Sequence, residues 1–287
     1  MRFGHIPILI LFLAFPFSIC AQQKQGFVLR PLSKGIGQTE IIGNASLEVM
    51  YAFNATDISD EQTYIDLQVL RVGDTVSKYY SRFVELNDSL RDDFIRKNPN
   101  AMSAPTVFYK AGKRESYWSE YQYTEIFTEK GEQTFYVQMP QYMGRYNSYY
   151  TEPLGMQSWE LHLQQQSILG YVCQRATCHW RGRDFEAWFT ADIPVGMGPW
   201  SFNGLPGLIL KLYDVDKLYT WEAVGLRSGN FPIRKRKDIR FNKEKRDKVH
   251  RMLIAINKDY LKTSGAVDPK TMQPKSMPHD YEPLEKE

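Results

Sequence analysis

Cysteine and histidine are both scarce in this sequence, with three and five residues in 287. That scarcity excludes a disulfide-dense scaffold. It also leaves little for a zinc site, which needs three or four convergent ligands. Beyond residue 21 no apolar run approaches the roughly 20 residues of a membrane helix. The net charge is only +3, or +2 without Arg2, which argues against a general polyanion binder. The chain has no G-x-S-x-G, no H-E-x-x-H, no phosphate-cradling loop and no dinucleotide fingerprint. No cofactor, metal or nucleic-acid partner is therefore expected, and any catalysis would have to assemble from scattered residues.

What is present begins with a leader. Arg2 is followed by an almost wholly apolar run from Ile6 to Ile19, then Cys20 and Ala21, then polar Gln22 and Gln23. A charged start, a short apolar run and a small residue before a polar chain read as a secretory signal peptide, residues 1–21, cut after Ala21. The expected location is the periplasm or the outer membrane. An uncleaved anchor and lipidation of Cys20 are the competing readings; Ile19 is larger than a lipoprotein signal prefers before its cysteine. In an exported chain Cys173 and Cys178 invite a disulfide. In one extended strand, however, five residues span about 17 Å and point to opposite faces, whereas a bridge needs about 5.5 Å. Two buried thiols are expected unless a bulge intervenes.

Residues 45–53 and 63–72 alternate as strands, Gly73-Asp74 marks a turn, and residues 75–80 return. The period then changes. Phe83, Leu86, Leu90 and Phe94 step by three and four, an amphipathic helix ending near Asn98-Pro99. Tyr117, Tyr121, Tyr123 and Phe127 share the parity of one strand face, and Trp159, Leu161 and Leu163 alternate before Gly170. Residues 171–180 and 185–190, joined through Arg181-Gly182-Arg183, form a hairpin; residues 208–213 and 219–226 form another. A second amphipathic helix spans residues 243–261, with Val249, Leu253, Ile256 and Tyr260 on its apolar face. The tail, residues 264–287, is polar and expected to be loosely held. The fold class expected is α+β and mainly antiparallel β: a single β-rich domain over residues 22–263, a curved sheet or half-barrel with two amphipathic helices.

Between the two best hairpins lie Trp188, Pro194, Gly198, Pro199 and Trp200, and then Gly204-Leu205-Pro206-Gly207-Leu208-Ile209. This stretch, the segment from Gly170 to Ala176, Trp159 and the tail Tyr281-Glu282-Pro283-Leu284-Glu285 together resemble the GLPGLI family of exported Gram-negative proteins. The tail departs from the family's N-P-I-E ending at Glu282 and Leu284. The resemblance implies a cell-envelope compartment and no established activity. Read physically, Pro206-Gly207 is a type II turn pair with positive φ at Gly207, Gly204 permits close approach, and Leu208 to Leu210 enter a strand apolar on both faces. None of the six motif residues is a nucleophile, acid, base or metal ligand, so they form a structural corner or a binding surface built on one.

Residues 234–251 hold ten Lys or Arg against three acidic residues, a net of +7. Arg234, Lys235, Arg236, Lys237 and Arg240 read as a solvated lead-in to the second helix or as a contact for anionic lipid or an acidic partner. The expected function is non-enzymatic binding of a hydrophobic or peptide ligand, or of an outer-membrane protein or lipid. The rivals are an envelope hydrolase and a structural subunit.

Overall fold

A computed structural model describes residues 28–31, 38–105, 112–113 and 117–287. The expected leader lies outside the described residues. Among those described, no helix is long and apolar enough to cross a membrane. The strands are β1 (Thr39–Phe53), β2 (Asp66–Val72), β3 (Val76–Ser81), β4 (Thr124–Glu129), β5 (Glu132–Val137), β6 (Ser148–Pro153), β7 (Glu160–Ile168), β8 (Tyr171–Trp180), β9 (Arg183–Thr190), β10 (Leu208–Asp214), β11 (Thr220–Arg236) and β12 (Asn242–Lys243). The helices are α1 (Arg82–Lys97), α2 (Arg246–Lys258) and α3 (Tyr260–Ser264).

All twelve strands join one open sheet in the order β12-β6-β5-β4-β3-β2-β1-β11-β10-β9-β8-β7. Every pairing is antiparallel except the short parallel contact of β12 with β6. Two meanders, β1 to β6 and β7 to β11, are thus joined along β1 and β11. That ladder runs from Phe53–Trp221 to Thr39–Arg236 with three register breaks. Such breaks bend strands, and the sheet curls until Arg181, in the β8–β9 turn, pairs with Glu152 on β6. The mainly antiparallel, curved architecture agrees with the reading of the sequence.

The interior is aromatic. Trp118, Trp221, Tyr51, Phe53, Phe135, Phe185, Phe189 and Phe202 are fully buried. Their polar atoms are satisfied internally. Tyr51 donates to the Ile209 carbonyl at 2.7 Å. Gln68 accepts from Trp221 Nε1 at 2.8 Å and from Tyr79, and donates to the Tyr121 carbonyl at 2.9 Å. Leu208, Ile209 and Leu210 are wholly buried, as a strand covered on both faces requires.

Helix α1 matches its periodicity. Ser81 caps its N-terminus by accepting from Val84 N at 3.1 Å, and Arg96 and Lys97 lie in its last turn, where cations favour the helix dipole. The second helix is a correction to the expected span. It breaks at Asp259, which leaves helical geometry to cap α3 by accepting from Lys262 N at 3.0 Å. The shared face of Tyr117 to Phe127 is a second correction. Residues 119–123 turn, because the amides of Gln122 and Tyr123 both donate to the Ser119 carbonyl, and only Phe127 lies on a strand. Cys173 and Cys178 are buried, unbridged thiols, and burial pushes them up to about 11 and about 12.

A motif corner and a bare sheet edge

Residues 191–207 connect β9 to β10 as a compact corner laid over the sheet. Two successive tight turns begin it: Val195 N donates to the Ile193 carbonyl and Met197 N to the Val195 carbonyl, each at 2.7 Å. Gly204 N to the Gly196 carbonyl and Leu208 N to the Ile193 carbonyl, both 3.0 Å, close the corner. Trp200 sits at φ +53 and turns its ring into the core, edge-on to Tyr121 at 5.3 Å. Phe202 packs on Phe185 at 4.6 Å, and Leu205 is buried.

The two motif glycines exchange the roles expected of them. Gly204 has the positive φ, +90, while Gly207 does not, so the type II assignment is corrected. Gly207 instead runs against the preceding strand, where a Cβ would lie 2.0 Å from the Thr190 carbonyl oxygen. Gly198 meets a similar limit, with a Cβ 2.8 Å from the Ile209 side chain. Pro199 is buried, whereas Pro194 and Pro206 are exposed. Trp188 faces half outward from β9 and donates Nε1 to Glu186 at 3.1 Å.

The corner also holds the approach to β7, through a residue that the sequence reading did not single out. Asn203 Oδ1 accepts from Gly155 N at 2.7 Å, and the Asn203 carbonyl accepts from Trp159 Nε1 at 2.8 Å. Beside it the Ser201 carbonyl takes Gln157 Nε2 at 3.2 Å. The family-like segment at 198–207 and Trp159 are therefore one structural unit. An asparagine before a glycine was the available signal, since short polar side chains bind local backbone.

The unit ends at an edge of the sheet. Among the described residues, β7 pairs with β8 on one side and with no strand on the other. Its ladder breaks between Leu161 and Gln165, where four steps on β7 face two on β8. Leu163 stands in that bulge, 95% exposed, with Leu161 at 50% and Val172 on β8 at 58%. The alternation of Leu161 and Leu163 predicts a strand correctly, but neither side chain enters the core.

The basic segment is dispersed. Arg234, Lys235 and Arg236 end strand β11 and do not lead directly into a helix, which corrects that expectation. Arg236 pairs with Asp88 at 2.6 Å and Asp238 at 2.8 Å, and Lys237 with Glu40 at 3.2 Å. Lys235 lies 4.8 Å over the Tyr136 ring. Arg234 and Arg236 line a cleft of about 100 Å³ beside α1, where Lys78 faces Glu85, Asp88 and Glu125. Arg240 is exposed. Arg236 and Lys237 are thus paired with carboxylates, while Lys235 stacks on a ring and Arg240 faces solvent.

Two interior carboxyls are displaced from their usual range. Burial pushes Asp66 up to about 7; its Oδ1 accepts from Ser81 at 2.8 Å and its Oδ2 has no hydrogen-bond partner. Burial also raises Glu120, which accepts from Tyr281 and from Asn257 Nδ2 at 2.9 Å. The cavity beside Glu120, lined also by Tyr121, Tyr150, Trp200 and His250, measures about 30 Å³.

Comparison with known proteins adds little to this geometry. A family model described as "Protein of unknown function (Porph_ging)" matches residues 179–211, the stretch from β8 into β10. No curated protein matches. The chain is similar to two solved structures of PNGF-II, in P21 and C2 space groups, at 14% identity and a TM-score of 0.45. The match covers 76% of this chain and 34% of theirs, so the chain spans about a third of their length.

Proposed function

We propose that this is an exported envelope protein of the GLPGLI group that binds a periplasmic or outer-membrane protein by taking a partner strand onto β7. The bare edge carries the reading. A strand's unpaired N–H and C=O groups template another strand, and proteins ordinarily blunt them with charge, proline or a covering element. The middle of β7, from Leu161 to Ser167, holds no Lys, Arg, Asp, Glu or Pro. Its exposed leucines add an apolar contact to the main-chain bonds, the combination that strand addition uses for affinity and specificity. Compartment and family rest on the leader and on the motif residues.

The other readings find less support. A lipid or other drug-sized ligand calls for roughly 300–1,000 Å³ of pocket; a cleft of that size, about 390 Å³, is a surface one bordered by the exposed Tyr142 and Arg240, and the aromatic interior offers about 30 Å³. The same small volume stands against a hydrolase built on Glu120 and His250. The proposal is tested with a photo-crosslinking amino acid placed at Leu163, and at Val215, an exposed residue of the β10–β11 turn, as a control, in cells that make the protein. One discrete adduct from position 163 that is absent from 215 is expected. No adduct, or the same adducts from both positions, would overturn it.

A further inference from the structure

The last seven residues lie against the body as a bound peptide would, and what holds them is a built site. Arg183, with its side chain only 2% exposed, donates Nε and Nη2 to the Pro283 carbonyl at 2.9 and 2.8 Å and Nη2 to Glu282 at 3.1 Å. Its Nη1 meets Asp214 at 3.1 Å, and its guanidinium lies 5.4 Å over the Tyr219 ring. Tyr219 donates to the Glu282 carbonyl at 2.6 Å, and Tyr281 donates to Glu120. Leu284 is 3% exposed beside Tyr121, Tyr150, Trp200 and Leu253. Glu285 sits between Arg181 and Arg246, and both arginines also reach Glu152. Lys286 N donates to the Arg181 carbonyl at 2.9 Å.

The groove therefore reads a sequence. Two arginines frame one carboxylate, a third takes a proline carbonyl and a second carboxylate, and an apolar socket takes the leucine between. Charged, forked contacts of this kind are specific as well as strong. The tether, residues 269–278, is exposed throughout and is held near its far end, where Lys275 N donates to the Ala266 carbonyl at 2.8 Å and Met277 N and Ser276 bind Asp259. Ten extended residues reach about 33 Å.

We infer that this groove is a peptide-binding site for the acidic sequence Tyr-Glu-Pro-Leu-Glu, and that the tail of a second copy of this chain occupies it when the resident tail is out. The bonds are the same in cis and in trans, which is the condition for segment exchange between identical subunits. Through a short tether the resident tail has an effective concentration of order 1 mM, so exchange belongs to dense assemblies and dilute protein is monomeric. This site is independent of the β7 edge.

A fluorescent peptide of residues 279–287 tests the inference against a full-length chain whose own tail is disabled by Leu284→Asp with Glu285→Lys. That chain should bind the peptide saturably and at least tenfold more tightly than the unaltered chain. A peptide carrying the two substitutions should not bind. Absence of binding by the folded variant, or equal binding by both chains, overturns the inference. Should the variant fail to fold, a specific protease site within residues 269–278 of the otherwise unaltered chain serves. After cleavage the tail fragment should stay with the body and be exchanged by excess fluorescent peptide. A fragment lost at once, with no peptide taken up, overturns it.

Discussion

The two edges of the sheet are built on opposite plans. At one end β6 is bordered by the two-residue β12, and its Glu152 belongs to an alternating set of charges with Arg181, Glu285 and Arg246. Strand, helix and chain terminus all converge there. At the other end β7 runs nine residues with one neighbour, a bulge and an exposed leucine. One edge is finished by the protein's own chain; the other is held steady by the motif corner and, among the described residues, left uncovered. An edge that is positioned yet uncovered is what a docking strand needs.

The largest expected effect is at the anchor of the tail that finishes the β6 edge. Arg183→Leu leaves the Asp214 carboxylate buried without its cation and removes the tail's anchor. Loss of one partner of a buried pair costs roughly 3–5 kcal/mol, so urea denaturation should show a drop of that order. An unchanged midpoint would mean that the tail does not clamp this side. Next comes the corner between the edges. Gly207→Ala forces a Cβ against the Thr190 carbonyl and should cost about 1–3 kcal/mol, the range for overpacking.

Asn203→Ala sharpens the comparison further, because it removes the acceptor for the amide of solvent-exposed Gly155 at a cost of about 0.5–1.5 kcal/mol. Hydrogen exchange should quicken at Gly155 and along β7 while β6 is unaffected. Exchange that rises equally at both edges would remove the corner's claimed role. A pH series separates the edges from the centre. Asp66 titrates higher folded than unfolded, so its contribution to stability is full in acid, below its ordinary carboxylate range. That contribution declines as pH rises to about 7. Asp66→Asn should flatten the decline, and a slope that persists would assign it to other groups. The smallest effect on stability is the most telling for function. Leu163→Lys should change stability by less than about 0.5 kcal/mol yet abolish partner crosslinking through a second probe at Leu161.

Much of the fold could be read from local pattern, and the misses share a cause. The β8–β9 hairpin is legible because Arg181-Gly182 interrupts two alternating runs, and α1 because its apolar steps end at Asn98-Pro99. Asp259 sits inside a helical pattern and looks continuous. It breaks the helix because Met277 N and Ser276, far along the tail, hydrogen-bond to it. The tail looked loose for the same reason. Its acidic residues are satisfied by Arg183 and Arg181, about 100 residues earlier, and by Arg246, 39 residues earlier, which no window of periodicity can contain. Of the candidate site, the motif residues were legible as a corner. Their attachment to the approach to β7 was not, because Asn203 and Gly155 are 48 residues apart.

The joint between the meanders also sets an order of events during folding. Paired residues on β1 and β11 lie from 168 (Phe53–Trp221) to 197 (Thr39–Arg236) positions apart. Contacts so distant in sequence close late and slowly. Until β11 docks, the first meander presents one long unsatisfied flank along residues 39 to 53.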